Sequence, residues 1–368
     1  MITGVGTIGK VYIVQENDAF YYKDASVLCF ENRSGAVLST YARIMIESSF
    51  IQEQIHSKTY GNTVDTITIS TANNYLCVIP PISEQEKIVV AVKNILDIVN
   101  SIESNNSELK ATIDSAKTKI LDLAIRGKLV PQDPNDEPAA VLLERVRSEK
   151  EELIKQGKIK RDKKESFIFK GEDNSYYRYY SNSNKYTNVD LPYEIPSSWE
   201  WCTLSMIGTT NIGLIYKPTD IVSNGTIVFR SNNIIDGKIN LKDLVRVSTN
   251  IRDNQYIEEN DILICARNGS KALVGKCAIL KDIPEKASFG AFMAVYRTRY
   301  YKYVYYYLNS DIFRSVFNND DSKQINQLTQ DMLKNAIIPL PPIQEQCRIV
   351  ENIENAFIYL DSIASTLS

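Results

Sequence analysis

A chain of 368 residues with 43% hydrophobic and 24% charged residues has the make-up of an ordinary globular protein with room for two separate cores. It contains no apolar run of about 18 residues and no basic-then-apolar start, so neither a membrane span nor a secretory signal is expected. The net charge of −3 gives no global sign of nucleic-acid binding, six cysteines without a C-x-x-C pair speak for a reduced, cytosolic chain without structural zinc, and a single histidine, His56, removes most Ser-His, Cys-His and zinc-hydrolase schemes.

The first element is ambiguous. Gly4, Gly6 and Gly9 spell the dinucleotide pattern G-x-G-x-x-G, and Gly4 to Lys10 spell most of a P-loop. Both patterns need a strand before the glycines and a helix after them, because the helix N-terminus supplies the N–H groups that hold phosphate. Only three residues precede Gly4, Val11 stands where a Mg²⁺-binding Ser or Thr would be, and Val11 to Val14 is β-branched and aromatic, which predicts a strand. An NTPase is therefore the weakest of the functional readings.

The chain repeats itself at an offset of 261. Residues 79–89, Ile-Pro-Pro-Ile-Ser-Glu-Gln-Glu-Lys-Ile-Val, return as 340–350, Leu-Pro-Pro-Ile-Gln-Glu-Gln-Cys-Arg-Ile-Val. Thr68 and Asn74 meet Thr329 and Asn335, and further upstream Gly9-Lys10 meets Gly275-Lys276. The second copy carries one more residue between its glycines, which a phosphate cradle would not tolerate but a turn before a strand does. The Gly-Lys element thus reads as a repeated turn. About 75 residues precede it in the second copy and almost none in the first, so the first repeat is expected to lack its N-terminal half.

After each Pro-Pro-Ile a helix is predicted. In the first, Ile88, Val92, Ile95, Val99, Ile102, Asn106, Leu109, Ile113, Ala116, Ile120 and Leu123 follow steps of four and three, the spacing of a coiled-coil seam with Asn106 as its polar member. A helix from residue 83 to Arg126 would be roughly 66 Å long. Ile349, Ile353, Ala356, Leu360 and Ile363 keep the rhythm in the second, and the two stripes are expected to pack antiparallel. Between them, Gly127 to Pro138 is a turn region, Ala139 to Gln156 a further helix, and the charged and Tyr/Asn/Ser-rich stretch to Thr187 an exposed linker whose tyrosines 176, 177, 179 and 180 are able to stack on bases. The run of tyrosines at 300, 301, 303 and 305–307 reads as helix packing.

Three stretches carry a resemblance: residues 340–350, the segment Ile125-Arg-Gly-Lys-Leu-Val-Pro-Gln-Asp (125–133), and Leu191-Pro-Tyr-Glu-Ile-Pro-Ser-Ser-Trp-Glu-Trp (191–201). Together they resemble the specificity subunit of type I restriction-modification systems over essentially the whole chain. The resemblance implies an α+β fold, with globular target recognition domains of mixed strands and helices joined by long conserved helices forming an antiparallel coiled coil. Its segments are 1–82 (the C-terminal part of a first recognition domain), 83–126 (central helix), 127–187 (turn, helix and polar linker), 188–340 (a complete second recognition domain) and 341–368 (distal helix). It also implies a non-catalytic, cytoplasmic subunit that binds double-stranded DNA and modification (methyltransferase) subunits, with a restriction subunit as a further partner and self-association as a way to complete the first domain. No cofactor or metal is expected in this chain; S-adenosylmethionine and ATP/Mg belong to partner subunits. Agreeing with this, both Pro-Pro pairs are flanked by Ile or Leu rather than by the Asn/Asp and Tyr/Phe of an amino-methyltransferase.

Base reading needs Arg, Lys, Asn and Gln on loops. Arg230, Ser231, Asn232 and Asn233 follow one strand-like run, and Arg267, Asn268, Ser270 and Lys271 follow another; Gln324, Asn326 and Gln327 form a third polar cluster. Between Ile262 and Arg314 nine Lys/Arg stand against three Asp/Glu, a local charge of +6 suited to phosphates. The competing function is a truncated or silent cassette that serves as a coiled-coil scaffold without recognising DNA.

Overall fold

The computed structural model describes all residues except 22–25, 58–65, 160, 162–165, 182, 184, 319–326 and 367–368. The chain forms two compact units, residues 1–108 and 109–368.

In the first unit, β1 (Ile2–Thr3) pairs antiparallel with β2 (Val27–Leu28), followed by helices α1 (Ser39–Glu47), α2 (Ser49–Ser57) and α3 (Ile69–Ala72). Ile8, Ile51, Ile55 and Ile67 make its small core, beside a second cluster of Val37, Tyr41 and Ala42. Helix α4 (Ile82–Ile125) begins here and ends in the second unit. Its first turn is held by the buried Gln85, whose side chain accepts from the Leu38 N–H and donates to the carbonyls of Ala36 and Pro80. Beyond Ile88 and Val89, which lie against the α1 cluster, the heptad stripe is uncovered: Ile95, Val99 and Ile102 are 61, 42 and 53% exposed.

The second unit continues through α5 (Ala139–Lys155), β3 (Ser166–Lys170), β4 (Tyr176–Tyr180), β5 (Lys185–Asn188), β6 (Glu200–Thr203), α6 (Leu204–Ile207), β7 (Thr209–Ile212), β8 (Ile221–Phe229), β9 (Ile234–Ile235), β10 (Lys238–Ile239) and β11 (Val245–Val247). It ends with β12 (Ile262–Cys265), β13 (Cys277–Ile279), β14 (Ala287–Phe289), β15 (Met293–Arg297), α7 (Tyr301–Leu308), α8 (Asp311–Asn318), α9 (Gln330–Asn335), β16 (Ile337–Leu340) and α10 (Ile343–Ser365). An antiparallel sheet of order β13-β12-β15-β7 lies at the centre, with a second sheet β11-β8-β14 in which β14 runs parallel to β8. The four apolar residues Ile262–Cys265 point alternately into two cores, one shared with the helices and one with β8 and β14. Tyr303 and Tyr307 are buried in the first of these, as helix packing requires.

The stretch read from its composition as an exposed linker is corrected here: Ser166–Lys170, Tyr176–Tyr180 and Lys185–Asn188 form the antiparallel sheet β3-β4-β5. Its register stacks Phe167 on Tyr179 and Phe169 on Tyr177, and cross-strand aromatic pairs of this kind stabilise a sheet despite polar surroundings.

Within the second unit α4 and α10 run antiparallel. Leu121, Ala124 and Ile125 share a core with Ile349, Val350 and Ile353, while Lys117 pairs with Asp361 and lies over the Phe357 ring. The three stretches that carried the resemblance meet at the head of α10. There the buried carboxylate of Glu345 accepts from the Trp199 indole (2.9 Å) and the Gln132 amide (2.6 Å), and Arg348 forks onto Asp136. Burial outweighs these donors and raises the Glu345 pKa.

The sequence repeat is also a structural repeat in a set of matching hydrogen bonds. Thr3 N–H to Lys10 carbonyl (2.9 Å) returns as Cys265 to Lys276 (2.8 Å), Gly4 to Ser26 (2.9 Å) as Ala266 to Phe292 (2.9 Å), and Ile67 to Gly4 (2.7 Å) as Leu328 to Ala266 (2.7 Å). The Tyr41 hydroxyl on the Val78 carbonyl matches Tyr303 on Pro339, both at 2.8 Å, and Gln85 on Pro80 matches Gln346 on Pro341. Gly9 and Gly275 sit at φ of +81° and +83°, where a side chain would be strained, which explains the repeated Gly-Lys turn without any nucleotide.

Candidate nucleic-acid interface

Three polar loops leave the sheets of the second unit on one side. β8 ends at Phe229 and releases Arg230 to Asn233, β12 ends at Cys265 and releases Arg267, and Gln327 precedes α9. Backbone contacts tie these exits together. Gly290 donates to Phe229, Ala266 and Arg267 donate to Phe292, and an isolated antiparallel bridge joins Arg267 to Gln327. Gly213 lies so close to the Gly290 carbonyl that any Cβ would collide with it, so only glycine closes the floor here.

The result is a cleft of about 920 Å³ whose wall includes Arg230, Ser231, Asn232, Arg267 and Gln327. Members of all three predicted clusters are therefore brought together. The Arg267 guanidinium is exposed and sits 5.5 Å from the centre of the Phe292 ring, an arrangement that holds its fork while leaving its donors free to point outward. Beneath it the Cys265 thiol, pushed up by burial, stays neutral. Arg230 is half-buried and reaches the backbone carbonyl (3.2 Å) and carboxylate (3.4 Å) of Asp243, and the same carboxylate accepts from the Asn232 amide (3.2 Å). Asp243 thus orients two donors, and an approaching phosphate or base acceptor would compete with it.

Other candidates fall elsewhere. Asn233 is fully buried: its carbonyl oxygen accepts from the Arg230 N–H and its amide donates to the carbonyls of Asn240 and Lys242, so it shapes the loop and offers no face to a base. Asn268 bridges to Ser231 (3.4 Å) and accepts from the Ser270 N–H, linking two loops. Ser270 and Lys271 are exposed on a short 3-10 turn outside the cleft wall. Gln324 and Asn326 lie outside the described residues. Sequence reasoning missed the apolar members of the wall, among them Ile212, Ile215 and Phe292; the last two are 83 and 60% exposed, and an exposed apolar side chain on a loop has no periodicity to reveal it.

The first unit repeats only part of this site. Its bridge joins Val5 to Thr66, so Val5 occupies the place of Arg267, Thr66 that of Gln327 and Ser26 that of Phe292. Among the described residues no cluster of His, Cys, Asp and Glu is placed to ligate a metal, and no helix is long and apolar enough to cross a membrane.

Residues 196–365 match the family described as type I restriction modification DNA specificity domain. The specificity subunit of the type I restriction enzyme EcoAI of Escherichia coli is 31% identical over 258 residues, covering 67% of this chain and 40% of the relative. The EcoEI specificity subunit, also of Escherichia coli, is 29% identical over 275 residues, covering 70% and 42%. The chain spans about two fifths of the length of these relatives. In fold, it is similar to a chain of a solved type I R-M system, with a TM-score of 0.55 at 18% identity over 89% of this chain and 65% of that one. The 170-residue match (365 − 196 + 1), which holds the whole cleft wall, and the similarity to these relatives on both sides of α5 lead to one conclusion: the chain belongs to the family of type I restriction-modification specificity subunits.

Proposed function

We propose that the chain is a non-catalytic, cytoplasmic DNA sequence-specificity subunit. In this reading the cleft of the second unit reads base edges of double-stranded DNA, and the antiparallel helices dock modification subunits, with a restriction subunit as a further partner. Methyl transfer from S-adenosylmethionine and ATP/Mg-dependent steps belong to those partners. The carrying observation is the convergence of Arg230, Asn232, Arg267 and Gln327 on one cleft wall, since guanidinium and amide groups are the side chains that pair bidentately with guanine and adenine. The basic stretch around Arg267 supplies attraction for phosphate.

Co-expression with the cognate modification subunit, followed by mapping of methylated sites by single-molecule sequencing, tests the proposal. A bipartite motif supports two reading units. A palindromic motif supports dimerisation through the intact second recognition domain. No motif at all favours a silent scaffold and sinks the proposal.

A further inference from the structure

In the second unit β16 is one half of a two-stranded sheet. Ile338 faces Cys202 of β6 and Leu340 faces Glu200, and both are fully buried. The other edge of β16 is closed by phenols, Tyr307 on the Ile337 carbonyl and Tyr303 on the Pro339 carbonyl. At the offset of 261, the first unit has this second edge only. Tyr41 donates to Val78, and Gln54 holds both backbone groups of Leu76 (2.8 and 3.1 Å). On the facing edge, the N–H and C=O of Cys77 and Ile79 pair with nothing among the described residues. Leu76, Val78 and Ile79 are 72, 66 and 55% exposed, and Glu84, the counterpart of the Glu345 that takes the Trp199 indole, is exposed as well.

We propose that residues 76–79 are the open half of a two-stranded sheet, and that they take an extended segment from a separate polypeptide with the chemistry of this chain's own residues 199–204. That chemistry is two tryptophan-type aromatics one residue apart, followed by a turn. The segment runs antiparallel, its backbone pairing with Cys77 and Ile79. Its second aromatic lies opposite Val78, as Trp201 lies opposite Pro339, and its first donates an indole N–H to Glu84. An unpaired apolar edge is a template for such an addition. A second copy of this chain is a poor source, because its residues 200–203 are already paired with its own β16 and would have to leave it.

The test mixes the full chain with a synthetic peptide of residues 191–207. In the proposed register the peptide's Cys202 falls opposite Cys77, at the separation of about 5.5 Å between Cα atoms that a disulfide spans. With oxidised glutathione as the acceptor of the two electrons and two protons, the peptide should cross-link to Cys77 in preference to Cys29 and Cys347, which are exposed as well. Amide exchange at Cys77 and Ile79 should slow by about tenfold or more. Glu84→Ala in the chain, or Trp199→Ala in the peptide, should weaken both effects. Equal labelling of the three exposed cysteines overturns the proposal. Slowed exchange at 337–340 alone, meaning displacement of β6, overturns it too. Concentration-dependent protection of 76–79 without peptide would make a second copy the occupant and overturn the assignment to a separate polypeptide.

Discussion

Arg267 and Gln327 face each other across an isolated antiparallel backbone bridge, so two segments distant in sequence present a guanidinium and an amide at one point. If that point reads a guanine through O6 and N7, Arg267→Ala should cost roughly 1–3 kcal/mol at one base pair and relax specificity there. Binding of the assembled methyltransferase to a panel of single-base variants at two salt concentrations checks this. An even loss across sequences with a salt slope lower by about one would reassign Arg267 to a phosphate.

Asn233 should behave differently from its neighbour Asn232. Its three hydrogen bonds lie inside the loop, so Asn233→Ala should lower the stability of the second unit by about 1–3 kcal/mol in urea denaturation. The same change at the exposed Asn232 should leave stability within about 0.5 kcal/mol and alter binding instead. Equal losses of stability would contradict the assignment.

Lys10 lies at the end of a turn whose backbone is bonded to its own strand. Lys10→Ala should leave nucleotide affinity, measured by calorimetry on the chain, at the same undetectable level. Measurable ATP binding that vanishes on this substitution would restore the phosphate-loop reading.

Glu345 supplies a pH dependence. Burial raises its carboxyl pKa above the ordinary 4.5, so the folded chain holds this proton more tightly than the unfolded one. Its contribution to stability is therefore fullest below the ordinary carboxylate range and is lost as pH rises through the raised value. Glu345→Gln removes the titration while keeping an acceptor for Trp199. Across that pH window the original chain should lose stability relative to the variant as pH increases, as read by urea midpoints; parallel curves would refute it.

Asn106 is the polar member of the α4 stripe and is half-buried. Asn106→Leu should raise the melting temperature while broadening the choice of helix partner or register, seen as additional species in sedimentation. A lower melting temperature with a single species would remove Asn106 from the seam.

Much of the architecture was legible because it rests on strict spacing. The repeat at an offset of 261, α4 and α5 came directly from matching strings, heptad steps and the Pro/Asp break, and each corresponds to observed elements. The sheet β3-β4-β5 was hidden because Tyr176 to Tyr180 has aromatics at four of five positions, which masks a period of two behind a polar composition. The cleft was half legible. Strand ends marked where Arg230 and Arg267 leave the sheets, but a one-residue rotation within a short turn separates the exposed Asn232 from the buried Asn233. Phe292 joins the wall only through its contact with Arg267, and the meeting of Gln132, Trp199 and Glu345 is a property of the folded chain alone.

The frame around the bridge is built from backbone groups, whereas the side chains it displays differ completely: Val5 for Arg267, Thr66 for Gln327, Ser26 for Phe292. Such a frame decouples foldability from vocabulary. Genetic exchange between the two copies, or with a related gene, at the shared Pro-Pro-Ile helix start would keep the bonds that the two copies have in common. Only the side chains on display would change, so, under the proposed function, a new target would come by shuffling rather than by slow point mutation.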